Sequence, residues 1–215
     1  MRIRVLGVGC SEAGDEADGR RQTAEVGRQK EEAERKEGSV DQSRGRGEEL
    51  KKTIMKTSDQ KREMLRHTVA TLAYRGAKAV RGAPDSFASF KASETTRTPA
   101  QILAHVGDLL DWALSIARGE ETWHNAKPLP WPKEIQRFHK ALGAFDKYLA
   151  SDAKLAAATE RLFQGPVADA LTHVGQIAML RRIAGEPVKG ENYSRAKIKA
   201  GRVSSKQEKP AREFD

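Results

Sequence analysis

The chain has a single cysteine, Cys10, among its 215 residues, and aromatic residues make up only 6% of it. One cysteine excludes an intrachain disulfide, a zinc ribbon and a Cys-X-X-Cys redox site. Such a composition fits a reducing compartment, so we expect a cytoplasmic protein.

Long apolar runs are also missing. No segment reaches the ~18 apolar residues of a membrane span, and the apolar run at residues 5–10 is too short for the core of a secretory signal, about 7 to 15 residues. The same run carries Gly7 and Gly9, but Glu12 stands where a dinucleotide-binding fingerprint has its third glycine. We therefore expect a soluble protein without a membrane partner.

Residues 1–54 lack aromatic side chains altogether, and they contain 12 basic and 12 acidic residues. Such a segment cannot bury enough apolar surface to offset the entropy lost on ordering, so we expect a disordered arm. The sequence becomes periodic at Met55, which makes Met55 an alternative to Met1 as the true start. The rest of the chain contains 27 basic and 18 acidic residues, so the net charge of +9 belongs there.

Apolar residues recur at helical spacing after residue 54, and no strand pattern competes. The periodicity and its capping signals predict helices over residues 57–82, 98–119, 133–150 and 166–185, with a short helical lead-in at 153–163. Amphipathic helices of this length bury their apolar faces against one another. The predicted fold class is therefore all-α, a four-helix bundle over residues 55–187. The basic tail at 188–215 either wraps the bundle or stays mobile.

Two helices carry candidate metal ligands. Asp169 and His173 lie four residues apart, on one face of the last helix. His105 lies on the apolar stripe of the second helix, between Ile102 and Leu109. If these helices face each other, the three side chains form a His, His, carboxylate site with open coordination positions. That ligand set is typical of catalytic zinc and also accepts Ni(II) or Fe(II).

The same residues allow other interpretations. His105 alone would fit a hydrogen-bonded core histidine, and Asp169 would fit an acidic residue that complements a helix dipole. Gln176 and Asp108 lie one turn from His173 and His105, so each is a candidate for orienting an imidazole or, alternatively, for a solvated face. Surface positions are expected for the remaining histidines: His67, His124 and His139.

The second and fourth helices resemble those of the DinB-like superfamily of metal-dependent enzymes. The resemblance rests on Thr-Pro-Ala-Gln-Ile-Leu-Ala-His-Val-Gly-Asp-Leu-Leu-Asp-Trp from Thr98 and His-Val-Gly-Gln-Ile-Ala-Met-Leu-Arg-Arg from His173, and it covers about residues 55–187. That family takes one histidine ligand from the second helix and two, four residues apart, from the fourth. His105 and His173 match the first and last of these. Asp169, itself a competent ligand, stands where histidine is usual.

The resemblance implies a homodimeric bundle with long crossover connections. It also implies a divalent metal (Zn, Ni or Fe) and, in some members, transferase or isomerase chemistry that uses a low-molecular-weight thiol. The metal would act as a Lewis acid on a small-molecule substrate, so hydrolysis stays open beside thiol transfer. A competing interpretation is a non-catalytic dimeric module. Its tail, with eight basic and four acidic residues over 188–215, would contact nucleic acid.

Overall fold

The computed structural model describes residues 58–214 and, before them, positions 25, 28, 30, 32, 49, 50, 53, 55 and 56. The chain divides into two units, residues 1–56 and residues 57–215. The described positions of the first unit are helical and exposed. The disordered arm expected at 1–54 falls mostly outside the described residues and stays a prediction, as does the choice between Met1 and Met55.

The second unit is mainly helical, which confirms the all-α class. Its helices are α1 (residues 58–80), α2 (Pro99–Arg118), α3 (Trp131–Leu149), α4 (Thr159–Leu162) and α5 (Ala168–Ile183). Two short strands that were not predicted, β1 (Gly190–Glu191) and β2 (Glu213–Phe214), pair antiparallel. Within the described residues, no helix has the length and apolar character needed to cross a membrane.

Helix α2 has the boundaries that its capping signals predict. The Thr98 side chain accepts a hydrogen bond from the Gln101 backbone N–H, and the Gln101 side chain accepts one from the Thr98 N–H. The helix ends at Gly119, where φ is 86°, and the Glu120 N–H donates to the Ser115 carbonyl. This left-handed glycine cap satisfies carbonyls that the last helical turn leaves unpaired.

Helix α3 starts at Trp131, two residues before the predicted Lys133. The prediction treated Pro132 as part of the connection because proline cannot continue a helix. Pro132 instead occupies the first turn, where its missing N–H costs nothing because helical N–H groups have no intrahelical acceptor there.

The lead-in to α5 differs from the prediction. A helical lead-in was expected over 153–163, but α4 covers only Thr159–Leu162 of this range. The last residue of the range, Phe163, begins the turn that follows. The expected restart at Gly165-Pro166 is absent, because residues Phe163–Val167 form a π-helical turn that joins α4 to α5. Pro166 lies inside this turn, whose wider hydrogen-bond spacing tolerates a residue without an N–H.

The core lies between the long helices. Helix α2 packs against both α3 and α5, and α1 contributes to the same buried cluster. The largest fully buried side chains include Leu72, Leu103, Leu110, Phe138, Phe145 and Ile177. Gly76 of α1 makes room for one of them, since a Cβ at position 76 would lie 2.5 Å from Cζ of Phe138.

The tail at 188–214 packs onto the helices, which decides between the two alternatives left open by the sequence. Lys78 of α1 is nearly buried and binds the carboxylates of Glu191 and Glu213, at 2.8 Å and 2.7 Å. The Tyr74 hydroxyl donates to the other oxygen of Glu191 at 2.7 Å. We call these four residues the tail clasp.

Farther along the tail, Val203 is buried in the core. Its carbonyl lies 3.1 Å from Nδ1 of His139, which is therefore half-buried. The expected surface position is thus wrong for His139, because the tail covers that part of α3. His67 and His124 are exposed, as expected.

Candidate metal centre

Helices α2 and α5 bring together the three side chains proposed as ligands. Ligand atoms of His105, Asp169 and His173 all lie within 4.8 Å of one another. Nε2 of His105 is 3.7 Å from Oδ2 of Asp169, and Nε2 of His173 is 3.4 Å from Oδ1 of the same carboxylate. This group could hold a metal ion, because each member can turn one lone pair toward a common point.

Asp169 is not at a free helix N-terminus. The backbone at Val167 is already helical, with φ −76° and ψ −43°, and the π-helical turn continues back to α4. A carboxylate that complements a helix dipole acts at N–H groups without intrahelical partners. Because helical turns precede Asp169, its location is better explained by the two imidazoles beside it.

Gln176 contacts His173 one turn farther along α5. Its Oε1 lies 2.8 Å from Nδ1 of His173 and accepts the proton of that nitrogen in the corresponding tautomer. A histidine that donates from one ring nitrogen keeps the other nitrogen unprotonated and available as a ligand. Nε2 of His173, the nitrogen left free, is the one that faces Asp169.

Asp108, the other candidate for orienting an imidazole, contacts different groups. Its carboxylate is buried, with Oδ1 bound to Arg137 of α3 and Oδ2 accepting the Ala126 N–H at 3.0 Å. These contacts tie the carboxylate to α3 and to the connection, and among the described residues Asp108 makes no hydrogen bond to His105. Asp108 instead ties the connection at 119–130 to the rim of the site. It is also not the solvated residue that the sequence left as an alternative.

His105 is held in its neutral form. Burial lowers the pKa of its imidazole, the neighbouring His173 and the charge of Arg97 lower it further, and the carboxylates of Asp169 and Asp108 only partly oppose them. At pH 7 the ring therefore carries a free lone pair, which a metal ligand requires.

Two tryptophans border the site. The Trp123 ring packs edge-on against His105, with centroids 5.6 Å apart, and against Trp112 of α2 at the same distance. Trp123 lies in the proline-containing connection between α2 and α3, where no periodicity indicates which way a side chain points. The only sequence signal was the neighbouring His124, whose side chain is exposed.

The site opens into a cavity of about 810 Å³. Its apolar wall includes Ile102, Met179 and Leu180, and both imidazoles line it. His105 also lines a second cavity of about 370 Å³, together with Gln101, Asn125 and Lys127. A small molecule is accommodated by cavities of this size.

Comparison with protein-family models, with curated proteins and with solved structures gives no match for this chain. A function for the site is therefore inferred from the geometry of the site alone.

Proposed function

We propose that the protein is a divalent-metal-dependent enzyme of the DinB-like type that acts on a small molecule by thiol-dependent transfer or by hydrolysis. The observation that carries the proposal is the convergence of His105, Asp169 and His173, two of which, His105 and His173, line a cavity large enough for a substrate. Three protein ligands leave coordination positions for that substrate, as in catalytic zinc sites.

The distances between the ligands fit a shared ion. Ligand atoms about 2.0–2.1 Å from a tetrahedral zinc are separated from one another by about 3.3 Å. The Asp169 carboxylate has Oδ1 3.4 Å from Nε2 of His173 and Oδ2 3.7 Å from Nε2 of His105, close to this spacing, and all three ligand atoms lie within 4.8 Å of one another. The donor set of two imidazole nitrogens and one carboxylate oxygen also suits Ni(II) and Fe(II).

The residues around the group have separate tasks in this proposal. A divalent metal would supply a Lewis acid. Asp169 would add a compensating negative charge, and Gln176 would fix the ring of His173. Trp123 packs edge-on against His105, where it would restrict the movement of that ring.

The proposed fold is a four-helix bundle in which α4, the π-helical turn and α5 together form the fourth helix. The shared core of α1, α2, α3 and α5 supports this arrangement. The long connections at 81–98 and 119–130 agree with the crossovers that the DinB-like resemblance implies. The homodimer implied by that resemblance is part of the proposal, and light scattering of the purified protein tests it.

Elemental analysis tests the proposed function. After reconstitution with Zn(II), Ni(II) or Fe(II) and removal of loosely bound ions, the wild-type protein should retain about one equivalent of metal. The variants His105→Ala and Asp169→Ala should lose it, because two remaining ligands hold zinc weakly. His67→Ala is the matched control, since His67 is exposed on α1. Absence of stoichiometric metal in the wild type, or equal retention in every variant, would contradict the proposal.

A further inference from the structure

Arg97 and His105 are the residues that line both cavities beside the candidate metal centre. The larger cavity, which contains His173, has apolar side chains along one wall. The smaller cavity has polar groups and Lys127. The Arg97 cation therefore shares both the more apolar and the more polar cavity with His105 of the candidate metal centre.

The positive charge at this border is not neutralised. Arg97 and Lys127 are exposed, and neither forms an ion pair with an acidic side chain among the residues that the structure describes. The nearest candidate carboxylates on α2 have another partner, because Asp108 and Asp111 both bind Arg137. Arg97 and Lys127 thus remain available for a charge brought by a ligand.

Arg97 is also close enough to affect the chemistry of the site. It lines the larger cavity together with His105 and His173 and the smaller one together with His105, so a ligand in either cavity meets both the guanidinium and a proposed metal ligand. A divalent ion held by two neutral imidazoles and the single carboxylate of Asp169 would retain a net charge of about +1. Metal and guanidinium would then both attract an anion.

From this arrangement we infer that the substrate is an amphipathic oxyanion, a carboxylate or phosphate monoester carried on an apolar group. The planar guanidinium of Arg97 receives the anionic group through paired N–H donors. The apolar part lies in the larger cavity against Ile102, Met179 and Leu180. This inference rests on the proposed function where it calls the ligand a substrate, but the binding it describes can be measured without turnover.

The site contains its own optical reporter. Trp123 is 45% exposed, packs against His105 and contacts Trp112, so a ligand beside His105 changes the surroundings of an indole. The remaining tryptophan, Trp131, is buried and packs against Phe87 instead. Fluorescence therefore follows binding through the two tryptophans of the site.

The experiment titrates the full-length protein, zinc-free and zinc-loaded, with octanoate, octyl phosphate and the uncharged 1-octanol. We expect both anions to bind about tenfold more tightly than the alcohol. Arg97→Gln should weaken anion binding about fivefold and leave 1-octanol unchanged, as for loss of one charge-assisted contact. Arg97→Lys should retain part of the preference. Arg195→Gln, an exposed arginine of the tail that lines neither cavity, is the matched control.

The outcomes separate this inference from the proposed function. If zinc binds stoichiometrically but octanoate and 1-octanol bind equally, or Arg97→Gln behaves like the wild type, the oxyanion site is overturned and the metal proposal stands. If zinc does not bind but the anions bind in an Arg97-dependent way, the oxyanion site stands and the enzymatic proposal fails. A preference for octyl phosphate over octanoate, or the reverse, identifies the anionic group.

Discussion

At the scale of single residues, the proposed metal ligands were predictable because helices carry them. A helix fixes the direction of each Cβ, so the four-residue spacing of Asp169 and His173 already placed both on one face. The apolar neighbours of His105 indicated its inward position. Asp108 also lies on a helix, one turn from His105, but the residue that binds its carboxylate, Arg137, lies 29 residues later on α3. Pairing between helices leaves no periodic signal.

The hydrogen bond from His173 to Gln176 makes a prediction about metal affinity. Gln176→Leu should weaken zinc binding about tenfold, because the ring of His173 loses the acceptor that fixes its tautomer and orientation. Competition with a coloured chelator measures the affinity. Gln136→Leu is the matched control on the exposed face of α3. Equal affinities of Gln176→Leu and the wild type would show that the amide does not position the ligand.

At the scale of elements, local capping chemistry predicted α2 well, whereas the join between α4 and α5 needed information from the rest of the fold. Thr98 and Gly119 act through hydrogen bonds to nearby backbone. Gly165 and Pro166 favour a break when only their own preferences count. In the structure Leu162, Pro166 and Val167 are buried. Their burial depends on contacts with residues that are distant in sequence, and these contacts keep the helical path continuous.

Two helical glycines with different surroundings give a prediction on stability. Gly76→Ala should lower the free energy of unfolding by about 1–3 kcal/mol, because the added methyl meets the buried Phe138 ring. Gly143→Ala in α3 should raise it by roughly 0.5–1 kcal/mol, because open space surrounds the new Cβ and alanine favours helix. Urea unfolding compares the two. Stabilisation by both substitutions would show that the Phe138 ring moves to accommodate the new methyl group.

At the scale of the whole molecule, the sequence predicted the all-α class and a basic tail but not how the tail is held. Glu191 and Glu213 are acidic residues in a segment whose most obvious property is positive charge. Their partners Tyr74 and Lys78 lie on α1, more than 110 residues earlier. Contact of the tail with nucleic acid stays a prediction. Deletion of the tail would not test it, because the tail is part of the fold.

The tail clasp should contribute measurably to stability. Lys78→Met removes the cation from a fully buried Glu191 side chain, which should cost about 3 kcal/mol because the carboxylate is left without its counter-charge. In this variant, trypsin should also cleave faster after the lysines and arginines of the 188–214 segment than it does in the wild type. Lys197→Met, an exposed tail lysine, is the control. If Lys78→Met and Lys197→Met unfold at the same urea concentration, the clasp is not stabilising.

The tail clasp also has a consequence for the order of events during synthesis. Helix α1 is synthesised before the tail, and its Lys78 then lacks the carboxylates that lie 113 and 135 residues later. Contacts of such long sequence separation form late and slow the folding of a domain. The helices can therefore collapse while the surface beneath the tail is still open. Completion of the native state waits for the final two-stranded ladder.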